Sequence, residues 1–590
     1  MPIIGFSQQQ EGVIPRNQQI PAKLDQKIAV NQGEKSAQDA VDGKTAAGTV
    51  QQQPQQQEPR PSSLITQPLA LSPPVGKERV GVRPGQQQLL TMQDAITFAL
   101  QNNLDIEVAR QSVQMAQSNL FSARGVYDPV TTTDISYRSS ATPVTSVIQG
   151  GSESESITRE TLTYNFTTDK LIERTGAIIA ADFTNNRATS SDSFTTINPS
   201  FGSALAFSIT QPLMRNFKID ANRRQIQLLR RSLDLSDSQF RQRVIDIISS
   251  VQRAYWDLVF AIDNEVIARN AVELTQVQLE NNQKMVEAGT LPPIDLRETE
   301  AALESRKETV ILALQSITTA ENAVKALLLK DPNDTVWYSE IVPVDKPPIG
   351  QESFNLEEAT ALALKNRPEL EQLRLQAQQN QIDQDFFRNQ LKPRVDIFGL
   401  ITSTGSAGRA IESEPDPSNP FPRQVPDRLR GGYFQALRNL GGFDFRTYQV
   451  GVTIGLPWRN RTHEGNLGRA LAESRQLDAR QRQLVQMVQI DVRNALQAVQ
   501  ATKQRYEAAR ASRIAAEAQL SGEQEKFRAG LSTNFLVLQR QNDFAAAQGA
   551  ELRAKTDYNK ALADLQRVTG MTLVNNNVDI PAPSTNGKTK

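Results

Sequence analysis

Apolar positions in this chain repeat with two different periods, and the switch between them marks out its elements. From about residue 219 to 288, Val244, Val251, Leu258, Glu265, Val272, Leu279 and Val286 recur every seven residues, the spacing of a coiled-coil seam. A single helix over that stretch would be roughly 100 Å long at 1.5 Å per residue. A second series, Val485, Val492, Val499, Tyr506, Arg513, Leu520 and Phe527, keeps the same interval. When "EAGTLPP" is laid on "RAGLSTN", so that Gly289 meets Gly530, the two series coincide position for position. The seam is written twice.

Each series ends at a glycine, and helical periodicity resumes within a few residues. Glycine supplies the positive φ of a helix end, while Pro292 and Pro293 stop one helix and can start the next. The pattern predicts returning helices over about 294 to 330 and 535 to 568, so each series belongs to an antiparallel helical hairpin. Alanines of the second copy, among them Ala495, Ala508, Ala515 and Ala518, permit close helix approach.

The second period is two. In "TYQVGVTIGLPW", Val450, Val452, Ile454 and Leu456 share one face and Gly451, Thr453 and Gly455 the other; in "SALAFSITQPL", Leu205, Phe207 and Ile209 face away from Ala206, Ser208 and Thr210. Further alternating runs cover 130–138, 161–168, 176–185 and 394–401. Such lengths suit a half-buried soluble sheet or, at roughly 8 to 11 residues, tilted strands crossing a bilayer. No run of 18 or more apolar residues occurs, so a transmembrane helix is not expected.

The whole unit is duplicated. "LTMQDAITFALQNN" from Leu90 aligns without gaps on "FNLEEATALALKNR" from Phe354, and the register holds through Pro129 and Pro393. The expected organisation is a disordered Gln/Pro-rich segment over 1–88, a first repeat over 89–330, a connector over 331–353, a second repeat over 354–570 and a disordered tail over 571–590. "MPIIGFSQQQ" lacks a charged region followed by an apolar one, so the displayed start does not read as a secretory signal.

Composition narrows the chemistry. Lys plus Arg and Asp plus Glu are equal at 65 each, so no global field favours nucleic acid. There is no cysteine and one histidine, His463, in the polar setting "RNRTHEGNLG", expected to be exposed and structural. No catalytic constellation, phosphate loop or metal-ligand cluster is evident, and no enzyme activity, cofactor or metal is expected. The Arg223, Arg224, Arg230 and Arg231 cluster reads as a solvated or interfacial helix face.

The duplicated openings, the "YDP" and "KPRV" strand starts, the "SITQPL" and "TIGLPW" strand ends and the "EAGTLPPIDL" and "RAGLSTNFLVL" tips together resemble the TolC-type outer-membrane efflux proteins, over about residues 89 to 570. The resemblance implies an α+β fold built as a duplicated strand and long-hairpin unit. It implies a homotrimer whose outer-membrane β-barrel continues as an α-helical periplasmic tunnel. The protein would be the outer-membrane channel of a tripartite efflux or type I secretion system, a passive duct served by a periplasmic adaptor and an inner-membrane pump. Adaptor docking would fall at Gly289, Thr290, Leu291 and Pro292 and at Gly530, Leu531, Ser532 and Thr533.

In the family, acids near the second tip ring the tunnel entrance, with a tyrosine and an arginine holding it shut. Here the acid positions are Leu536 and Gln539, and the tyrosine and arginine positions are Phe527 and Ser532. The matching positions of the first copy are Asp295 and Glu298, acids that also suit the start of a helix. Strand-like sequence between Ile157 and Asn185 exceeds the family's two strands per copy and reads as an added hairpin or a long external loop. Two other readings compete: a periplasmic adaptor-like protein, expected to carry one hairpin, and a soluble coiled-coil scaffold, which has no use for the strands.

Overall fold

The computed structural model describes residues 71–83, 85–144, 156–192, 195–350, 355–411 and 424–580. The first repeat runs β1 (Gln87–Leu90), α1 (Met92–Asn102), α2 (Leu104–Arg124), β2 (Val130–Pro143), β3 (Ser156–Leu171), β4 (Ile178–Ser190), β5 (Ile197–Pro212), α3 (Ala221–Glu287) and α4 (Pro293–Leu328). After β6 (Glu340–Pro343) the second runs α5 (Leu356–Asn366), α6 (Pro368–Gln390), β7 (Arg394–Ala410), α7 (Tyr433–Gly441), β8 (Phe445–Gly455), α8 (Arg461–Arg528) and α9 (Asn534–Val568), and α10 (Thr572–Asn575) follows. Among the described residues no helix is long and apolar enough to cross a membrane.

Six strands form one antiparallel sheet in the order β2-β3-β4-β5-β7-β8. Its two faces differ because side chains alternate along every strand. One row across the sheet reads Thr132, Thr167, Asp182, Ala206, Thr402 and Thr447, and the adjacent row on the opposite face reads Thr131, Thr168, Ala181, Phe207, Ile401 and Tyr448. Ile135, Tyr137, Phe166, Ile209, Ile397, Val450, Val452 and Ile454 extend that second face as exposed apolar residues. The extra sequence of the first repeat is an added hairpin, β3–β4, paired throughout with its neighbours. All strands are as long as or longer than their alternating runs, because polar rows extend the pairing beyond the apolar ones.

The helices form a second layer. α3 has α2 and then α4 on one side and α6 and then α9 on the other, and α8 lies beyond α6 and α9. The sevenfold series is the filled seam: Val244, Val251, Leu258 and Leu279 are buried on α3, and Val492, Val499 and Leu520 on α8. Glu265 is buried within that seam and paired with Arg269.

The layer's two outer helices each carry a second, open seam. On α8, Ile490, Asn494, Gln497, Ala501, Gln504, Ala508, Ala511, Ala515 and Ala518 are spaced by alternate threes and fours, and all are exposed. They lie two residues, about 200°, from the buried set. On α4, Ala301, Ser305, Glu308, Leu312, Gln315, Thr319, Asn322 and Ala326 do the same. The sheet likewise ends in exposed strands, β2 and β8.

The sequence reading carried disorder to residue 88 and from 571. Residues 1–70 and 581–590 lie outside the described residues, but 71–83 run along the first hairpin and 571–580 return to its core. Ser72 bonds Glu304, the Val75 and Gly76 carbonyls accept from Arg269, and Arg79 pairs with buried Glu321. Leu573, Val578 and Ile580 pack on the cluster around Ile248 and Tyr255. Composition concealed these contacts because a few residues docked on a preformed groove need no core of their own.

The basic cluster at the start of α3 is structural. Arg223 pairs with Asp220 at 2.7 Å, Arg224 with Asp383 at 2.6 Å and Arg231 with Asp234 at 2.9 Å.

Candidate functional site

Both hairpins end in the same backbone motif. At the first, Gly289 N–H bonds the Val286 carbonyl at 3.0 Å and Thr290 N–H the Met285 carbonyl at 2.9 Å; at the second, Gly530 bonds Phe527 at 3.0 Å and Leu531 bonds Lys526 at 2.8 Å. These paired bonds form a Schellman motif, which needs a left-handed residue. Gly289 has φ +74° and Gly530 +73°. A Cβ at either glycine would meet nothing within 4 Å, so the conformation, not crowding, selects glycine.

The return helices start differently. Pro292 caps α4 without a side-chain bond and Pro293 occupies its first turn, whereas the Thr533 hydroxyl accepts from Leu536 N–H at 3.4 Å. Ser532 donates to Glu523, which holds that carboxyl below its ordinary range, with Lys526 and Arg540 adding to the effect. Gly289, Thr290, Pro292, Gly530, Leu531 and Thr533 are exposed, and Leu291 and Ser532 are half-exposed.

Asp295 and Glu298 both lie in the opening turns of α4, where carboxylates complement the helix dipole. Asp295 is half-buried and Glu298 exposed; on the second hairpin Phe527 and Leu536 are half-buried and Gln539 is exposed.

Sequence reasoning missed the polar cluster directly behind the tips. Asn282 of α3 donates to Thr299 Oγ1 of α4 at 2.8 Å and to Asn534 Oδ1 of α9 at 2.7 Å, and accepts from Gln278 at 2.8 Å. Asn534 donates to Thr299 Oγ1 at 3.0 Å and to the Asp295 carbonyl at 3.2 Å. Asn282, Thr299 and Asn534 are all buried, so one amide cluster ties the second hairpin's return helix to both arms of the first. The signal was a polar residue three positions after a seam position, at Asn282, matched by one at the start of α9.

Further from the tip, Arg306 is buried with its guanidinium between the hairpins. It donates to the Ala271 carbonyl and Gln541 at 3.0 Å each, to Asn542 at 3.0 Å, to the Leu538 carbonyl at 3.4 Å and to Thr275. These acceptors are all uncharged, and burial pushes the guanidinium down to about 10.

His463, expected to be exposed, is half-buried in the first turn of α8. Its Nδ1 is shielded, without a hydrogen-bond partner among the described residues. Burial, and secondarily Arg215, lower its pKa from 6.5.

A family model described as "outer membrane efflux protein" matches residues 179–328 and 359–571. No curated relative matches the chain by sequence. Among solved structures, a membrane protein from Pseudomonas aeruginosa is similar at TM-score 0.57 and 16% identity, over 81% of this chain and 90% of that one. The Campylobacter jejuni CmeC outer membrane channel gives 0.55 and 16%, over 82% and 86%. The open state of the Neisseria gonorrhoeae MtrE outer membrane channel gives 0.53 and 17%, over 82% and 89%.

Proposed function

Because the chain belongs to the outer membrane efflux protein family, its strands lying in the outer membrane and its helices in the periplasm, we propose that it is the channel component of a tripartite efflux or type I secretion assembly. Three copies form a passive duct. Its tips at Gly289–Pro292 and Gly530–Thr533 receive a periplasmic adaptor, and an inner-membrane pump supplies the energy. Asp295, Glu298, Phe527, Leu536 and Gln539 line the tunnel entrance. It differs from the acidic second-tip pattern in that, of these five positions, the two carboxylates both belong to the first hairpin.

The observation that carries this reading is the match between open edges in the two layers. Among the described residues β2 and β8 end the sheet unpaired, and α4 and α8 end the helical layer with empty seams. An unpaired strand edge is not viable in hydrocarbon. A second copy offered edge to edge fills both layers at once, and repetition by rotation closes a ring. The alanine-rich α8 seam suits close helix approach. An adaptor-like protein or a soluble scaffold leaves the exposed apolar sheet face without a use.

Light scattering of the detergent-solubilised protein tests the assembly. Three times the 65.4 kDa protomer mass is expected; a folded monomer would overturn the reading.

A further inference from the structure

The connection between β7 and β8 carries α7, and this helix does not project from the end of the sheet. It lies flat on the apolar face, at the end far from the long helices. The register places Ser403 opposite Leu205 and Gly405 opposite Ser203, on the same face as Phe207 and Ile401. Ser403 donates to the Leu440 carbonyl at 2.7 Å. A Cβ at Gly405 would sit 1.9 Å from the Ala436 carbonyl oxygen, so the strand gives up a side chain to let the helix lie on it. Asn439 donates to the Ser406 carbonyl at 2.9 Å, and Tyr433 donates to Asn185 at 3.0 Å with its ring 5.6 Å from that of Tyr164.

With Ala436, Asn439 and Leu440 buried against the sheet, the helix turns Phe434 and Arg438 outward, and Phe434 is 84% exposed. Arg428, Arg430 and Arg446 are exposed around it, Arg428 over the Phe445 ring at 5.1 Å and Arg430 paired with Asp427 at 3.6 Å, and segment 424–446 holds four arginines against two aspartates. Towards the long helices the same face becomes the continuous band of Ile401, Phe207, Tyr448 and Val450. Directly beneath α7 the strands present Asn185, Ser203, Ser403 and Gly405, while Leu205, Tyr164 and Ile135 keep the same rows apolar beside it. The helix therefore covers polar positions of this face, and the apolar band continues beside it through Ile135 and Tyr137.

We propose that α7 is a lipid-binding element lying in the outer leaflet of the outer membrane, with Phe434 at the acyl boundary and the arginines paired with anionic headgroups. The occupant is lipid because the surface is continuous with the band that the bilayer already covers, and because its charge is opposite to that of phosphate. An aromatic residue beside cationic ones at band height is the arrangement of a membrane-interface anchor. The inference rests on the membrane placement of the strands, and its test separates the two.

The chain has no cysteine, so single nitroxide labels can be placed at Phe434→Cys, Val450→Cys and Gln424→Cys without removing any residue. Each labelled full-length protein is reconstituted into phosphatidylcholine vesicles with and without phosphatidylglycerol. Accessibility to oxygen and to a water-soluble nickel chelate is then measured. The label at 450 should be lipid-exposed and that at 424 water-exposed. At 434 the oxygen-to-nickel ratio should exceed that at 424 several-fold and rise further with phosphatidylglycerol, a rise that Arg438→Glu abolishes. A label at 434 as open to nickel as that at 424, with 450 still in lipid, overturns the role of α7. A water-exposed label at 450 overturns the strand placement itself. Lipid exposure at 434 that is indifferent to phosphatidylglycerol and to Arg438→Glu overturns the headgroup pairing.

Discussion

Asn282 and Asn534 meet across the two hairpins, amide to amide at 2.7 Å, and each also bonds Thr299. A buried amide deprived of its partner keeps the whole cost of its desolvation, about 1–3 kcal/mol. Asn534→Ala is therefore expected to destabilise the folded protein by about that much in urea unfolding. Together with Asn282→Ala it should cost less than the sum of the two, since the cluster is already broken. Strict additivity would show that the two amides do not act as a unit.

Arg306 reaches acceptors on α3 and α9 at once, and a lysine ammonium cannot span them. Arg306→Lys is expected to destabilise by about 2 kcal/mol or more, because it leaves Gln541 and Asn542 short of donors in a buried site. Arg306→Met removes the charge as well as the donors, so a smaller loss than for lysine would identify the buried charge as the costly part. Denaturant midpoints of the two variants make the comparison.

The tip glycines should separate folding from docking. A β-branched residue at φ near +74° costs about 1–2 kcal/mol locally, too little to unfold hairpins of this length. Gly289→Val and Gly530→Val are thus expected to assemble normally while cross-linking less to the adaptor. Unchanged cross-linking would count against docking at the tips.

His463 gives the chain a single-probe pH experiment. Its folded-state pKa lies below the ordinary value, so on acidification the unfolded chain takes up the proton first. Stability should fall as pH drops through about 6.5 and stop falling, for this group, below the folded-state midpoint. The imidazole carbon resonance should titrate below 6.5, and His463→Gln should remove that part of the pH dependence. A midpoint above 6.5 would contradict the shielding of Nδ1.

The proposed assembly makes the β3–β4 hairpin a determinant of the barrel's girth. In the proposed trimer, three protomers of six strands would give eighteen, and barrel diameter grows roughly linearly with strand number. Joining β2 directly to β5 should leave twelve strands and narrow the barrel by about a third, visible end-on in electron micrographs. An unchanged diameter would place β3 and β4 outside the wall.

Much of this was legible because two periods dominate the sequence. The heptads located α3 and α8, Gly289 and Gly530 located the tips, and alternating runs located every strand of the main sheet. What stayed hidden depended on partners distant in the chain. Residues 71–83 are held by hairpin residues 193 to 242 positions away, and the Asn282 cluster exists only once α9 is in place. The polar rows that lengthen the strands have no apolar alternation to announce them. The seat for α7 is a glycine, Gly405, whose meaning appears only when the helix lies on it.

The ion cluster of Arg79, Glu321, Lys325 and Glu340 has a mechanical meaning. Glu321 pairs with Lys325 at 2.9 Å and with Arg79, which reaches Glu340 at 2.9 Å, so one carboxylate joins α4 to the incoming chain and to β6. Glu321 lies about 28 residues above the start of α4, a lever arm of roughly 42 Å at 1.5 Å per residue. Below this pin the first hairpin is held by its apolar seam, neutral amides and scattered single cations such as Arg269, Arg306 and Lys307; at it, by a buried knot of charge. A swing of about 10° around the pin would carry the tip roughly 7 Å, so small angles at Glu321 become molecule-sized displacements at Gly289.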